Sequence, residues 1–275
     1  MANYKIVASD LDGTLMNDRA QISRENMDAI GKLQEKGVYF VPCSGRTLSE
    51  IPKELRERAD IDYIIHSNGA VVLDRKSNRR ILTCIPNDTV RKILDIVTSC
   101  ESHITMRHDG KCLVDAAFQN EQDFTYYNVI VPHQDCVLNY AEHLDNFMEY
   151  ACSADQVEVI SVFFHDYADK LKCRKLLEET GLLRVVESSE YNIEIFDIKA
   201  GKGSALMNLA DMLGVDHRET MSLGDSDNDL AITQTAGLGL AVSNACDGLK
   251  AAADEIICSN EEHVAAYVLA RYFAD

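Results

Sequence analysis

The chain has 275 residues, 46% hydrophobic and 26% charged, with four prolines and no low-complexity tract; this is globular material for one large domain or two, not a linker or disordered protein. Its 45 acids outnumber 27 Lys and Arg, and the net charge of −18 repels nucleic acid and anionic membrane, which are bound through basic patches. The same charge repels a phosphorylated substrate unless a hard cation reverses the sign locally.

In chain order, Tyr4-Lys5-Ile6-Val7-Ala8 is an apolar run too short for a buried helix and reads as a buried strand. It leads into Asp10-Leu11-Asp12-Gly13-Thr14-Leu15. Two acids spaced by two leave a strand end on the same side, and Gly13 permits a sharp turn. Paired carboxylates repel each other. They make chemical sense around a divalent cation and a phosphoryl group, one acid attacking and the other moving a proton. The plain alternative is an acidic turn. A calcium loop is excluded, because Leu15 and Gln21 stand where it needs Gly and Glu.

Ser23 can cap a helix with Met27, Ile30 and Leu33 on one face, ending at Gly37. Val38 to Val41 is a second strand, followed by Pro42-Cys43-Ser44-Gly45-Arg46, where a hydroxyl and backbone N–H groups could hold phosphate oxygens or simply form a strand-to-helix turn. Cys43 and Arg46 are too close for a cysteine phosphatase loop, so Cys43 reads as packing. A solvent-facing helix is expected from about Leu48 to Arg58, then a third strand at Tyr63 to His66 leading to Ser67-Asn68-Gly69-Ala70. Alternating strands and helices predict a parallel sheet with ligands at its carboxyl edge. Val71 to Leu73 and Ile81-Leu82, with a polar turn at Lys76-Ser77-Asn78, read as a hairpin.

From about residue 85 the pattern changes. Asp88 is expected to cap a helix carrying Val90, Ile93, Leu94 and Val97. Short β-like runs follow at Lys111 to Val114, Val129 to Val131 and Val157 to Phe164, then a helix from Ala168 to Glu179, then strands at Leu183 to Val186 and Tyr191 to Ile195. Residues 85–192 therefore read as an inserted α+β domain, with 1–84 and 193–275 forming the core. Asp109, Asp115, His133 and Asp166 are the insertion's candidate specificity residues, indistinguishable from surface polar groups by any pattern.

The core pattern resumes at Lys199-Ala200-Gly201-Lys202-Gly203-Ser204, which opens a helix with Leu206, Leu209, Met212 and Leu213. It is not a Walker loop, lacking Ser or Thr directly after Lys202. A lysine at a helix start is unfavourable beside the dipole's positive end unless an anion neutralises both; otherwise it is a solvated surface lysine. Thr220 to Leu223 is a fourth strand, followed by Gly224-Asp225-Ser226-Asp227-Asn228-Asp229, whose acids and amide suit a hard cation but do not match an EF-hand. Gly237 to Val242, ending in Ser243-Asn244-Ala245, and Glu255 to Cys258 supply two more strands, and a last helix contains Val264 and Val268.

These segments, in this order, resemble the four motifs of haloacid dehalogenase-like phosphatases: Asp10 and Asp12 the first, Ser44 the second, Lys202 the third, Gly224 to Asp229 the fourth. The large insertion, with Ser67-Asn68-Gly69-Ala70 and Val242-Ser243-Asn244-Ala245, resembles the Cof-type branch with an α+β cap. Departures are Ser44 for the commoner Thr, Gly201 for Ser, and Val242-Ser243 for Met-Gly; none removes a needed functional group.

The resemblance implies a doubly wound, Rossmann-like α/β core with an inserted cap, and a magnesium-dependent phosphatase acting on a small phosphorylated metabolite such as a sugar phosphate. Asp10 would be the nucleophile, Asp12 the general acid and base, and Asp10, Asp12 (through its carbonyl) and Asp225 the Mg2+ ligands. Ser44, Gly45, Lys202 and Asn228 would bind phosphate, Asn68 would lie near substrate, and Asp229 would support the site from behind. The alternatives are a phosphomutase or a non-catalytic phosphometabolite-binding regulator. No window approaches a membrane span, the N-terminus lacks a signal-peptide pattern, and nine scattered cysteines without a Cys-x-x-Cys pair suggest reduced thiols in the cytoplasm. No motif sets an oligomeric state, a substrate or a pathway.

Overall fold

The structure, a computed structural model, describes residues 4–274. Met1–Asn3 and Asp275, the outermost residues of the expected core, lie outside the described residues. The chain forms two compact units: one holds the chain up to Gly45, Pro52–Ile81 and the chain from Gly201, the other holds Arg46–Ile51 and Leu82–Ala200.

The first unit is built on a five-stranded parallel sheet in the order Glu255–Ile256, Leu238–Ala241, Thr220–Gly224, Ile6–Ser9, Tyr39–Pro42. Ile6, Val7 and Ala8 are all inaccessible, so the strand is covered on both faces and reads as a continuous apolar run. Ile6 and Ala8 join Val41, Cys43 and Ile65 in a core closed by Leu206, Leu209 and Ala210 of the helix Lys202–Leu213. Ser23 caps the helix Arg24–Glu35, accepting from the Asn26 backbone N–H at 3.2 Å. Because the strands are parallel, the loops after Ser9, Pro42 and Gly224 leave the same edge of the sheet.

Two expected elements differ. Tyr63–His66 does not extend the parallel sheet; it pairs antiparallel with Val71–Asp74 in a three-stranded sheet with Arg79–Leu82. The chain reverses through Ser67, Asn68 and Gly69, with φ of 52°, 55° and 84°, and a parallel bridge from Ile65 to Cys43 ties this sheet to the larger one. The helix expected over 48–58 is a single 3-10 turn at Leu48–Glu50 and a one-turn helix at Lys53–Arg56. Pro52 lacks an N–H and holds Ile51 extended, at φ −65° and ψ 133°. Ile51 and Leu55 are buried rather than facing solvent.

The second unit is a six-stranded sheet in the order Leu183–Val186, Asn192–Asp197, Val159–Phe164, Ser102–His108, Lys111–Asp115, Glu142–Leu144, antiparallel except for the last pair. One face packs Ile104, Met106, Ile160 and Val162 against Val90, Ile93, Leu94 and Val97 of the helix Asn87–Val97 and Cys173 and Leu177 of the helix Tyr167–Glu178. The first helix takes Asp88 into its first turn rather than at the cap. Asp166 is the N-cap of the second, accepting from the N–H groups of Ala168 and Asp169. Val131, expected at the end of a β-like run, begins the helix Val131–Asn139, with Pro132 tolerated in its first turn.

The opposite sheet face buries two histidines. His133 Nε2 lies 3.2 Å from Thr105 Oγ1, while neither ring nitrogen of His103 has a hydrogen-bond partner among the described residues. Burial pulls His103 down to about 4 against the field of Asp115, and burial with the charges of Arg107 and His103 pulls His133 down to about 3 against Glu50. The folded chain keeps both neutral, whereas the unfolded chain protonates them below about pH 6.5. Stability is therefore complete above that value and falls as pH drops toward 4, by about 1.4 kcal/mol per pH unit for each histidine. Urea denaturation at pH 7.5 and pH 5 tests this: His103→Phe should lose about 2 kcal/mol less than the parent between the two. An identical loss in both proteins would contradict the burial of a neutral His103.

Candidate functional site

Asp10 follows the strand Ile6–Ser9 directly, and its N–H donates to the Leu223 carbonyl of the neighbouring strand at 3.0 Å. Its side chain is buried, 5% exposed, and points toward the sheet's carboxyl edge, where Lys202 Nζ donates to Asp10 Oδ1 at 2.5 Å and to Asp229 Oδ1 at 2.6 Å. Lys202 is 2% exposed at the first position of the helix Lys202–Leu213. The helix start is itself held closely: at Gly69, with φ +84°, a Cβ would meet the Gly201 carbonyl oxygen at 2.3 Å.

Asp229 is placed by a reciprocal cap. Its Oδ2 accepts from the N–H groups of Asp225 at 3.1 Å and Ser226 at 3.2 Å, while its own N–H donates to the Ser226 carbonyl at 2.9 Å. Asp225 is half-buried. Thr14 Oγ1 donates to its Oδ1 at 3.3 Å, and Gly13 (φ +73°) packs so closely that a Cβ there would meet Asp225 Oδ2 at 2.5 Å. The separate strand ends thus converge: carboxylate oxygens of Asp10, Asp225 and Asp229 lie within 4.8 Å of one another.

Around this cluster, Asp12 is exposed, with an extended backbone at φ −71° and ψ 122°. Ser44 is buried, its N–H donating to the Ile65 carbonyl and its own carbonyl accepting from the Asn68 N–H at 3.1 Å. Gly45 lies against Asn68, since a Cβ there would meet Asn68 Oδ1 at 2.8 Å. Asn228 is exposed and accepts from Ser226 Oγ at 2.8 Å. Cys43 packs in the core, its thiol pushed up by burial and kept unreactive.

Burial pushes the Asp10 carboxyl well above the ordinary range; Lys202 works against this, while Asp229 and Asp225 add to it. Burial and Asp229 push Asp225 up to about 6. Burial also opposes charge on Lys202, but the fields of Asp10 and Asp229 outweigh it and hold the ammonium group firmly protonated. With every group ionised, three carboxylates face one ammonium, which leaves two negative charges. A divalent hard cation fits both the all-oxygen donor set and this deficit.

Three further residues hold the turns of the site, and two of them, Asn260 and Cys246, carried no sequence signal. Asn244 Nδ2 donates to the Gly13 carbonyl at 2.8 Å; Asn260 donates to the Met16 carbonyl at 3.2 Å and from its backbone to Asn244 Oδ1 at 3.0 Å; Cys246 N–H donates to the Asp225 carbonyl at 2.8 Å. Asn244 and Asn260 pin the turn after Asp10 to the chain's last third, and Cys246 holds the turn at Asp225. Asn244 stood in a quoted motif, but nothing in the local pattern of Asn260 or Cys246 marks either bond.

Residues 7–269 match the haloacid dehalogenase-like hydrolase family. The chain belongs to that family, in its Cof-type branch. It is 28% identical to the phosphatase YwpJ of Bacillus subtilis, covering 96% of this chain and 98% of that one. It is 30% identical to the B. subtilis 5-amino-6-(5-phospho-D-ribitylamino)uracil phosphatase YcsE, covering 94% and 92%. Among solved structures, a haloacid dehalogenase-like hydrolase from Bacteroides thetaiotaomicron superposes with a TM-score of 0.81 at 25% identity over 98% of this chain and 99% of that one. A B. subtilis member gives 0.82 at 27%, over 98% and 99%. The doubly wound core with an inserted α+β unit is the fold of this hydrolase family, and phosphoric monoester hydrolysis is the activity of these B. subtilis relatives by name.

The Asp10–Lys202–Asp229 ion pairs set a measurable expectation. Lys202→Met leaves two buried carboxylates without their cation and should lower stability by about 3–5 kcal/mol at neutral pH. Urea denaturation in EDTA, so that no metal compensates, measures this, and parental stability in the variant would refute the coupling.

Proposed function

We propose that the chain is a Mg2+-dependent phosphatase that hydrolyses a small phosphorylated metabolite through an aspartyl-phosphate. The observation that carries this reading is the buried Asp10–Lys202 pair with Asp225 and Asp229 within 4.8 Å of Asp10: a nucleophile, a fixed cation and a hard-donor pocket at one strand edge. Asp10 attacks phosphorus in line and the leaving oxygen takes a proton from Asp12. Asp12 then removes a proton from the water that cleaves the aspartyl-phosphate and regenerates Asp10. Its exposure suits a residue that must reach both leaving group and water.

Ser44, the Gly45 backbone, Lys202 and Asn228 hold phosphoryl oxygens as charge redistributes, with Asn68 beside Gly45 on the substrate side. Mg2+ would be held by the Asp10 and Asp225 carboxylates and the Asp12 carbonyl, with Asp229 orienting Asp225 and Lys202. When bound, it supplies the positive charge that lets an anionic substrate approach an acidic site.

A phosphorylated sugar or sugar alcohol is the favoured substrate class. Relatives YwtE, at 28% identity, and YcsE, at 30%, are phosphatases of a phosphoribityl compound by name. No helix among the described residues is long and apolar enough to cross a membrane, and all nine cysteines are free thiols, which supports a cytoplasmic setting for a small soluble substrate.

The test is free-phosphate release from a panel of phosphosugars and 5-amino-6-(5-phospho-D-ribitylamino)uracil, with Mg2+ and with EDTA. Asp10→Asn should abolish release while melting at an undiminished temperature. Asp12→Ala should lower it about 10²–10⁴-fold. Asp225→Ala should be partly restored by excess Mg2+. Isomerised product without net phosphate would indicate a mutase, and tight binding without turnover across the panel a regulator.

A further inference from the structure

The second unit contains a thiol pair that the phosphate chemistry does not use. Cys173 lies within the helix Tyr167–Glu178 and is fully buried; Cys100, just beyond the helix Asn87–Val97, is partly exposed. Their sulfurs are 3.8 Å apart. Cys173 Sγ also lies 3.7 Å from the Ile96 carbonyl, and Cys100 Sγ 3.6 Å from Ser99 Oγ. Cys100 lines a solvent-open cavity of about 250 Å³ with Thr98, Glu101, Ser102 and Asp115. One member of the pair is thus reachable by a small oxidant and the other is sheltered behind it.

We propose that Cys100 and Cys173 form a reversible disulfide, a redox modification site that ties the end of the helix Asn87–Val97 to the middle of the helix Tyr167–Glu178. A disulfide needs the sulfurs at about 2.05 Å, leaving roughly 1.8 Å to close from the present 3.8 Å. Cys100 lies outside regular helix, so closing that distance breaks no helical hydrogen bond at its own position. With oxidised glutathione as oxidant, the Cys100 thiolate attacks one glutathione sulfur, the glutathione S–S bond breaks, and a mixed disulfide forms at Cys100 with one glutathione thiolate released. Cys173 then attacks the Cys100 sulfur and displaces the second glutathione, while its proton passes to the thiolate released first. The proton first lost by Cys100 ends on the second. The protein loses two protons and two electrons, and one glutathione disulfide becomes two thiols.

The order of events follows from access and acidity. Burial, with the neighbouring Cys100, pushes the Cys173 thiol up to about 12, so it ionises poorly until a disulfide forms beside it. A second pair supplies an internal contrast: Cys112 and Cys136 are hydrogen-bonded to one another but both are buried. Proximity alone would oxidise either pair; the requirement for an entry thiol selects Cys100 and Cys173.

The full chain, natively folded, is treated with oxidised glutathione, its remaining thiols are blocked before unfolding, and its tryptic peptides are mapped by mass spectrometry. The expected result is a linked peptide joining Cys100 to Cys173, two hydrogens lighter than the reduced pair and released by dithiothreitol, with Cys112 and Cys136 still reduced. Cys100→Ser, a change at a partly exposed position, should abolish the link and leave Cys173 unmodified. The oxidised parent should melt at a higher temperature than the reduced one, because the cross-link restricts the unfolded chain. A lasting glutathione adduct at Cys100 with Cys173 reduced, a link to any other cysteine, or two thiols that stay reduced would overturn the proposal. None of these outcomes depends on phosphate turnover.

Discussion

The first unit depends on one buried ammonium group. Lys202 sits at the positive end of a helix and is almost wholly removed from water, two unfavourable circumstances for a cation. It remains charged because Asp10 and Asp229 approach it from the ends of two adjacent strands, at 2.5 and 2.6 Å. Much of the surrounding geometry maintains that approach. The close contact of Gly69 with Gly201 fixes where the helix begins, and the Ser226–Asp229 cap fixes the second carboxylate. Asn244 and Asn260 hold the turn after Asp10. Lys202 pairs with two acids, whereas among the described residues Asp225 is drawn into the same space without a basic side chain bonded to it. In a chain of net charge −18 that excess matches in sign and size the charge a hard dication would neutralise.

The second unit handles buried charge differently. Arg107 lies between Glu50 and Glu194, at 3.9 and 3.8 Å, with both side chains largely removed from solvent. Glu50 belongs to the short segment Arg46–Ile51, which is anchored within this unit by more than charge: Ser49 N–H donates to the Gly110 carbonyl at 3.2 Å, and the Thr47–Glu50 capping box closes the turn. Burial alone would raise the Glu50 carboxyl. Arg107, with hydrogen bonds from Cys136 and Thr47, outweighs it and holds Glu50 down to about 2. A segment only a few residues past Ser44 is thereby committed to the sheet that contains Arg107.

Much of this architecture could be read from the chain because its signals are local. Ile6 to Ala8 and Phe40-Val41 are short unbroken apolar runs, Met221 to Leu223 is interrupted only by the small buried Ser222, and burial on both faces leaves such runs little polar alternation to confuse. The acid spacing after the first strand and the acid-rich turn after Gly224 were equally visible. What stayed hidden is non-local or depends on a single residue. Lys202 could be a surface lysine on its own sequence, because the acid that buries it is 192 positions away. Asn260 reaches Met16 across 244 positions. Pro52 breaks a segment whose composition is otherwise helical, and three successive positive φ angles reverse the chain after Tyr63–His66, so that this strand pairs antiparallel with Val71–Asp74 and meets the larger sheet at the parallel Cys43–Ile65 bridge. In the insertion, Val129 to Val131 looked β-like because β-branched residues favour strands, yet the run includes the helix start that Pro132 accommodates.

The two units treat their buried carboxylates in opposite ways. Both kinds are buried, and burial alone raises both. Glu50 ends below its ordinary value because the field of Arg107 and hydrogen bonds from Cys136 and Thr47 outweigh its burial. Asp10 and Asp225 end above theirs because burial outweighs the help they receive, Lys202 being shared between Asp10 and Asp229 and Thr14 giving Asp225 a single hydrogen bond, and repulsion among the three acids adds to the rise. A carboxylate left in that condition is poised to gain from whatever positive charge arrives next. The direction of the shift therefore separates Glu50, matched within the protein, from Asp10 and Asp225, whose all-oxygen cluster with Asp229 has the chemistry that suits a hard cation.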